Sequence, residues 1–150
     1  VNITAADPGK RYAGGAHFQG GALIAGRLFK AQSKSQARGV VEIGTAMSLE
    51  YPDTDTVYVE KPTIRRQVRQ PGDPNDVADL NLTNGAILMA FPQARHETVL
   101  VNVWKGSVPK EIMNRRVLER LTAEELSRLT TKNHNVLDAV GIGLWALGRL

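Results

Sequence analysis

Four side chains are of the types, and stand in the places, that phosphodiester hydrolysis uses: Asp7, Glu60, His134 and Asp138. Asp7 directly follows a short apolar, β-branched run at residues 1–6, and Glu60 closes a second β-rich run at 56–60, so both carboxylates project from strand ends. His134 and Asp138 are four residues apart and therefore share one face of a helix. Three carboxylates and one imidazole converging on one point suit hard divalent cations. Mg²⁺, with Mn²⁺ able to substitute, would bind as a pair, one ion activating water and the other stabilising the leaving oxygen. Taken singly, each residue has an ordinary explanation: a turn at Asp7-Pro8-Gly9, a solvated strand end at Glu60, a helix cap at His134. The chain has no cysteine, so a metal would have to be held by carboxylates and histidines.

The elements that must position these groups follow from the pattern. Residues 1–6 read as a buried central strand stopped by the turn Asp7-Pro8-Gly9-Lys10. Strand-like runs at 14–18 and 22–29 are joined by Gln19-Gly20-Gly21, a hairpin connection that makes a three-strand meander. Ala37, Val40, Val41, Gly44 and Met47 recur at helical spacing over 33–49, with Ser33 or Ser35 as cap. After the strand at 56–60 come a basic, Pro/Gly-rich loop and a helix over 76–91. A fifth strand at 98–104, dense in Val and Leu, reads as buried on both faces and leaves through a Lys105-Gly106 turn. Helices at 111–121, from a Thr122 cap, and at 136–147 complete the chain. The expected fold is α/β, one mixed five-stranded sheet flanked by helices, in a single domain over residues 1–150. If the first and fourth strands are parallel neighbours, their acids emerge at one edge about 5 Å apart. Ala139, Gly141 and Gly143 would let the last helix lie close against the sheet.

The bulk properties agree with this picture. The chain has 150 residues, 42% hydrophobic and 23% charged, with net charge +4 and pI about 9.6. That is enough chain to bury a core without disulfides, and the basic balance favours a polyanionic partner. No apolar run approaches the ~18 residues that span a bilayer, and no secretory leader is evident, which leads to the expectation of an intracellular, cytoplasmic protein.

Three motifs carry a family resemblance: Ile3-Thr4-Ala5-Ala6-Asp7-Pro8-Gly9, Val57-Tyr58-Val59-Glu60-Lys61-Pro62 and His134-Asn135-Val136-Leu137-Asp138-Ala139. In order and spacing, over nearly the whole chain, the sequence resembles the RuvC-like Holliday-junction resolvases of bacteria and phages, within the RNase H-like superfamily. The resemblance implies an RNase H-like fold, with Asp7 bridging two metal ions and Glu60 and Asp138 each holding one. It also implies products with a 5′ phosphate and a 3′ hydroxyl. The chain departs from the pattern twice. Relatives often have an acid or histidine three positions before the last Asp, where this chain has Asn135, so His134 is taken as the substitute. They also carry an aromatic residue after the second acid that stacks at the junction centre. Here Lys61, Pro62, Thr63 and Ile64 follow, and Ile64 is expected to wedge instead.

Lys61, Arg65, Arg66 and Arg69 form a basic stretch beside Glu60 that would hold phosphates against an acidic site. Lys105 and Lys110, continued by Arg115, Arg116 and Arg120, offer a second phosphate surface or an ordinary charged helix face. His17 and His96 are given structural roles, and Trp104, Trp145, Met89 and Phe91 core or subunit contacts. Leu80, Ile87, Leu88 and Phe91 could leave an apolar face for a C2 homodimer matched to a two-fold symmetric junction. The leading expectation is a structure-selective junction endonuclease. A ribonuclease H or a general branch and flap nuclease on the same fold is the alternative, and a catalytically silent DNA-binding module is the alternative of another class.

Overall fold

A computed structural model describes residues 1–63 and 74–150. Five strands, β1 (Asn2–Pro8), β2 (Tyr12–Gln19), β3 (Ala22–Lys30), β4 (Thr56–Lys61) and β5 (Arg95–Leu100), form one sheet in the order β3-β2-β1-β4-β5. The first three are an antiparallel meander, and β4 and β5 add in parallel on the other side of β1. The β2–β3 hairpin turns through Gly20 and Gly21 at φ 57° and 85°, the pair of positive angles that a two-residue turn with right-handed strand twist requires.

Side-chain alternation along the strands divides the core in two. Ile3 and Ala5 of β1 face one side and pack with Phe18, Leu23, Trp104, Met113, Val117 and the apolar residues of the last helix. Ala6 faces the other side, with Val57, Val59, Ile43, Met47, Tyr51 and Ile87. Helices α1 (Gln36–Glu50) and α2 (Pro74–Ala90) cover that second side. The first side carries α3 (Val101–Trp104), α4 (Lys110–Glu119), α5 (Ala123–Ser127) and α6 (His134–Ala146). Ser35 caps α1, accepting from the Arg38 amide, and Thr122 with Glu125 closes a reciprocal capping box on α5.

The structure corrects four sequence expectations. Asp7 and Pro8 lie within β1, paired with Gly14 and Ala13; the turn begins later, where the Gly9 amide donates to the Tyr12 carbonyl at 2.7 Å. The fifth strand is Arg95–Leu100, not 98–104, because its last partner is Lys61, where β4 stops. Beyond that pair no strand among the described residues receives the backbone of Val101–Trp104, which satisfies itself by coiling into α3. As the sheet's edge, β5 buries only Val99 fully and is not covered on both faces. Ile87 of α2 and Phe91 just beyond it are spent on the core while Leu80 and Leu88 are half-buried, so neither pair forms a free apolar face. Met89, read as a core or subunit contact, is 76% exposed and so outside the core, as is Leu82 at 45%. Among the described residues no helix is long and apolar enough to cross a membrane.

Candidate active site

The same alternation that builds the two half-cores sets the acids. Asp7 is two residues beyond Ala5, and Glu60 two beyond Tyr58, which packs with the α6-side core. Ala5 pairs with Tyr58 and Ala6 with Val59, so the parallel register continued by one step sets Asp7 beside Glu60, both facing α6. Gly14, the β2 partner of Asp7, allows α6 to close over them. A Cβ at Gly14 would land on the Asn135 carbonyl, so the bare backbone there lets the start of α6 press onto the strand.

Each acid has its own partner. The Asn135 side-chain amide donates to Asp7 Oδ2 at 2.9 Å, and the Trp104 indole N–H donates to Glu60 Oε2, also at 2.9 Å. Lys105 Nζ is 3.1 Å from Asp138 Oδ1, both side chains being 13% exposed, and 5.3 Å from the Trp104 ring centre. Asp7 is buried, and its pKa is held well above the usual carboxylate value. Loss of solvation is the main cause, followed by the negative charges of Glu60 and Asp138, against which the Asn135 hydrogen bond and Lys105 pull it down. The three carboxylates are thus electrostatic neighbours. Below them, α2 ties in through Thr83 Oγ1, which donates to the Gly9 carbonyl at 2.8 Å, and Asn84, whose amide donates to the Glu60 carbonyl at 3.3 Å.

His134 is the first residue of α6, after the Asn133 cap. Its pKa is lowered, first by burial and then by Lys110, with Asp138 opposing. Of the acids and the imidazole expected together, Asp7, Glu60 and Asp138 share the sheet edge, with His134 within electrostatic reach of Asp138. The residue in contact with Asp7 is Asn135, not His134. As placed, no group of three or more acidic or histidine side chains among the described residues is arranged to hold a metal ion.

The basic residues divide. Lys61 and Lys110 are exposed at the same end of the sheet, whereas Lys105 is turned inward onto Asp138. Arg115 is exposed and pairs with Glu119, and Arg116 and Arg120 line a cleft of about 760 Å³ behind Trp104 and Lys105. Ile64, Arg65, Arg66 and Arg69 lie outside the described residues. A smaller depression of about 200 Å³, walled by Pro8, Glu60, Pro62 and Leu80, opens beside Glu60. Trp104, read from the sequence as a core or subunit contact, is buried and also holds Glu60. The available signal was chemical: a buried indole N–H requires an acceptor.

No protein-family model and no curated protein matches the sequence. Solved structures do match. RuvC of T. thermophilus in complex with a Holliday-junction substrate superposes with a TM-score of 0.64 at 18% identity, covering 96% of this chain and 90% of that one. The fold is that of RuvC. The same RuvC-like fold is found in the fowlpox virus Holliday-junction resolvase with its substrate junction DNA, at TM-score 0.59 and 18% identity over 99% of this chain and 97% of that one. Another structure of the fowlpox resolvase gives 0.55 at 15% identity over the whole of both chains. The mixed RNase H-like sheet expected from the sequence is therefore the observed one.

Proposed function

We propose that this chain is a structure-selective DNA endonuclease that resolves Holliday junctions by metal-dependent phosphodiester hydrolysis, leaving 5′-phosphate and 3′-hydroxyl ends and acting as a homodimer. The observation that carries the reading is the placement of three carboxylates from β1, β4 and α6 at one edge of a RuvC-like sheet, where the charges of Glu60 and Asp138 both bear on Asp7.

The donor set fits hard divalent cations. It offers three carboxylates and, beside Asp7, the buried Asn135 Oδ1, which has no hydrogen-bond partner among the described residues. Buried like charges also call for a cation to offset them. Asp7, Glu60 and Asp138 would hold Mg²⁺ or Mn²⁺. Two such ions, when bound, would supply the Lewis acidity that activates water and stabilises the leaving oxygen. The residues of the chain do the rest. Asn135 orients the Asp7 carboxylate, Trp104 fixes Glu60, and His134, whose lowered pKa keeps a lone pair available near neutral pH, would orient or deprotonate the attacking water. Lys61 and Lys110 at the edge, with Arg65, Arg66 and Arg69, would hold phosphates, and Ile64 would wedge at the branch point.

The test is cleavage of a labelled four-way junction beside matched linear duplex and RNA·DNA hybrid, with Mg²⁺, Mn²⁺ or EDTA, for wild type and Asp7→Asn. Paired, metal-dependent nicks in the junction, absent from the variant, are the expected result. Cleavage of the hybrid instead would make the chain a ribonuclease H, and tight junction binding without cleavage would make it a silent binding module.

A further inference from the structure

We propose that Lys105 is a built-in counter-ion that holds the acidic edge together without metal and must leave Asp138 before a divalent cation can bind there. The inference rests on the metal-dependent reading above. Adjacent residues at the end of α3 each take one carboxylate, by different means. Trp104 gives Glu60 a neutral N–H, which fixes its direction and leaves its charge in place. Lys105 gives Asp138 a full positive charge at 3.1 Å, at a position where both side chains are 13% exposed and solvent screens little.

The same ammonium acts on Asp7, where it opposes the repulsion from Glu60 and Asp138, and it stands over the Trp104 ring. A second cation at Asp138 would meet this one at short range with little water between them, so lysine and metal compete for one oxygen cluster. Lysine suits such an exchange: it is a point charge on a flexible four-carbon stem, and the chain turns immediately after it at Gly106, φ 62°. A cleft of about 300 Å³ shared with Ser107 and Lys110 adjoins it and can take the released stem. Metal affinity is thereby set partly by a residue that is not a ligand.

Calorimetric titration of Mn²⁺ into DNA-free protein, with melting in EDTA, tests this on wild type, Lys105→Met, Lys105→Arg and Asp7→Asn. Lys105→Met keeps the stem and removes the charge. It is expected to melt lower than wild type in EDTA yet bind Mn²⁺ about tenfold more tightly, a coupling of ordinary size between competing ligands, while Lys105→Arg stays near wild type in both. A merely structural lysine would lower both quantities together. A second measurement needs no variant: amine acetylation mapped by mass spectrometry on wild type, where Mg²⁺ should raise Lys105 reactivity several-fold over EDTA. Unchanged or weaker Mn²⁺ binding by Lys105→Met, or Lys105 equally protected with Mg²⁺, overturns the proposal while leaving the metal site standing. Mn²⁺ binding that survives Asp7→Asn unchanged removes the metal site itself, and this inference with it.

Discussion

Asp7 shows at the scale of one residue what the proposed site costs the fold. Its carboxyl is buried between two further acids, and its pKa is raised chiefly by lost solvation. A carboxyl whose folded pKa is raised stabilises the fold below the ordinary carboxylate range, where it is protonated. That contribution is lost as pH rises through the folded value. Asparagine cannot ionise and so escapes this loss. Asp7→Asn is expected to abolish cleavage, yet in EDTA to gain in melting temperature on wild type as pH rises from below the ordinary carboxylate range, with about 2–4 °C for each kcal/mol gained in a chain of this size. Thermal melts across a pH series check it, and a variant that loses ground to wild type as pH rises would contradict the assigned repulsion. Asn135 is the companion case. It keeps Asp7 in place without being one of the acids, so Asn135→Ala is expected to cost about 10–100-fold in metal affinity or cleavage rate, read by the same titration and junction assay.

Between elements, α6 packs on β1 and β2 and abuts α3, and small residues set the spacing. A Cβ on Gly141 would sit 2.6 Å from the Trp104 ring and 3.1 Å from Val117. Gly141→Ala must therefore push the indole whose N–H holds Glu60. The expected result is a junction-cleavage rate about 10–100-fold lower at a temperature where the variant remains folded, checked by single-turnover kinetics beside a melt. How much of this was legible in the sequence depends on the distance over which each signal acts. That Asp7 and Glu60 meet at one sheet edge was readable because each closes a β-rich run and one helix joins the two strands in parallel, although Asp7 lies within β1 and not after it; the small residues of α6 were readable too. The end of the fifth strand was not, since Val101 and Val103 are β-branched strand formers and the last pair, Leu100 with Lys61, falls where β4 ends. The choice between His134 and Asn135 was likewise unreadable: four-residue spacing favours the histidine, but helix phase against β2 is fixed by Gly14, 121 positions earlier in the chain. Lys105 was read as a phosphate contact because a turn lysine is ordinarily solvated; its inward course depends on Asp138, which only the closed fold brings near.

At the scale of the whole molecule, two features bear on assembly and endurance. Glu125 accepts from the Leu23 and Thr122 amides and from both terminal nitrogens of Arg149, so it joins β3, α5 and the chain's last residues. Its pKa is lowered to about 2, mainly by the Arg149 hydrogen bond. A lowered carboxylate contributes stability above its unfolded value and loses it as pH falls through the folded one. Glu125→Gln should therefore melt below wild type at pH 7, with the gap closing between about pH 4.5 and 2 in melts across that range. The second feature concerns the proposed dimer. A four-way junction offers two symmetric cut points, and a C2 dimer of a chain with one active site matches them. The apolar residues that α1 and α2 leave exposed are Val41, Leu49, Leu82 and Met89, and burying them against a second copy would remove apolar surface from water. The double variant Leu82→Glu with Met89→Glu, which alters no side chain at the acidic edge, should sediment as a monomer. On a plasmid-borne cruciform it should yield nicked circles where wild type yields linear product, because the two cuts would no longer fall within one binding event. Linear product and an intact dimer from that variant would place the contact on another face of the molecule.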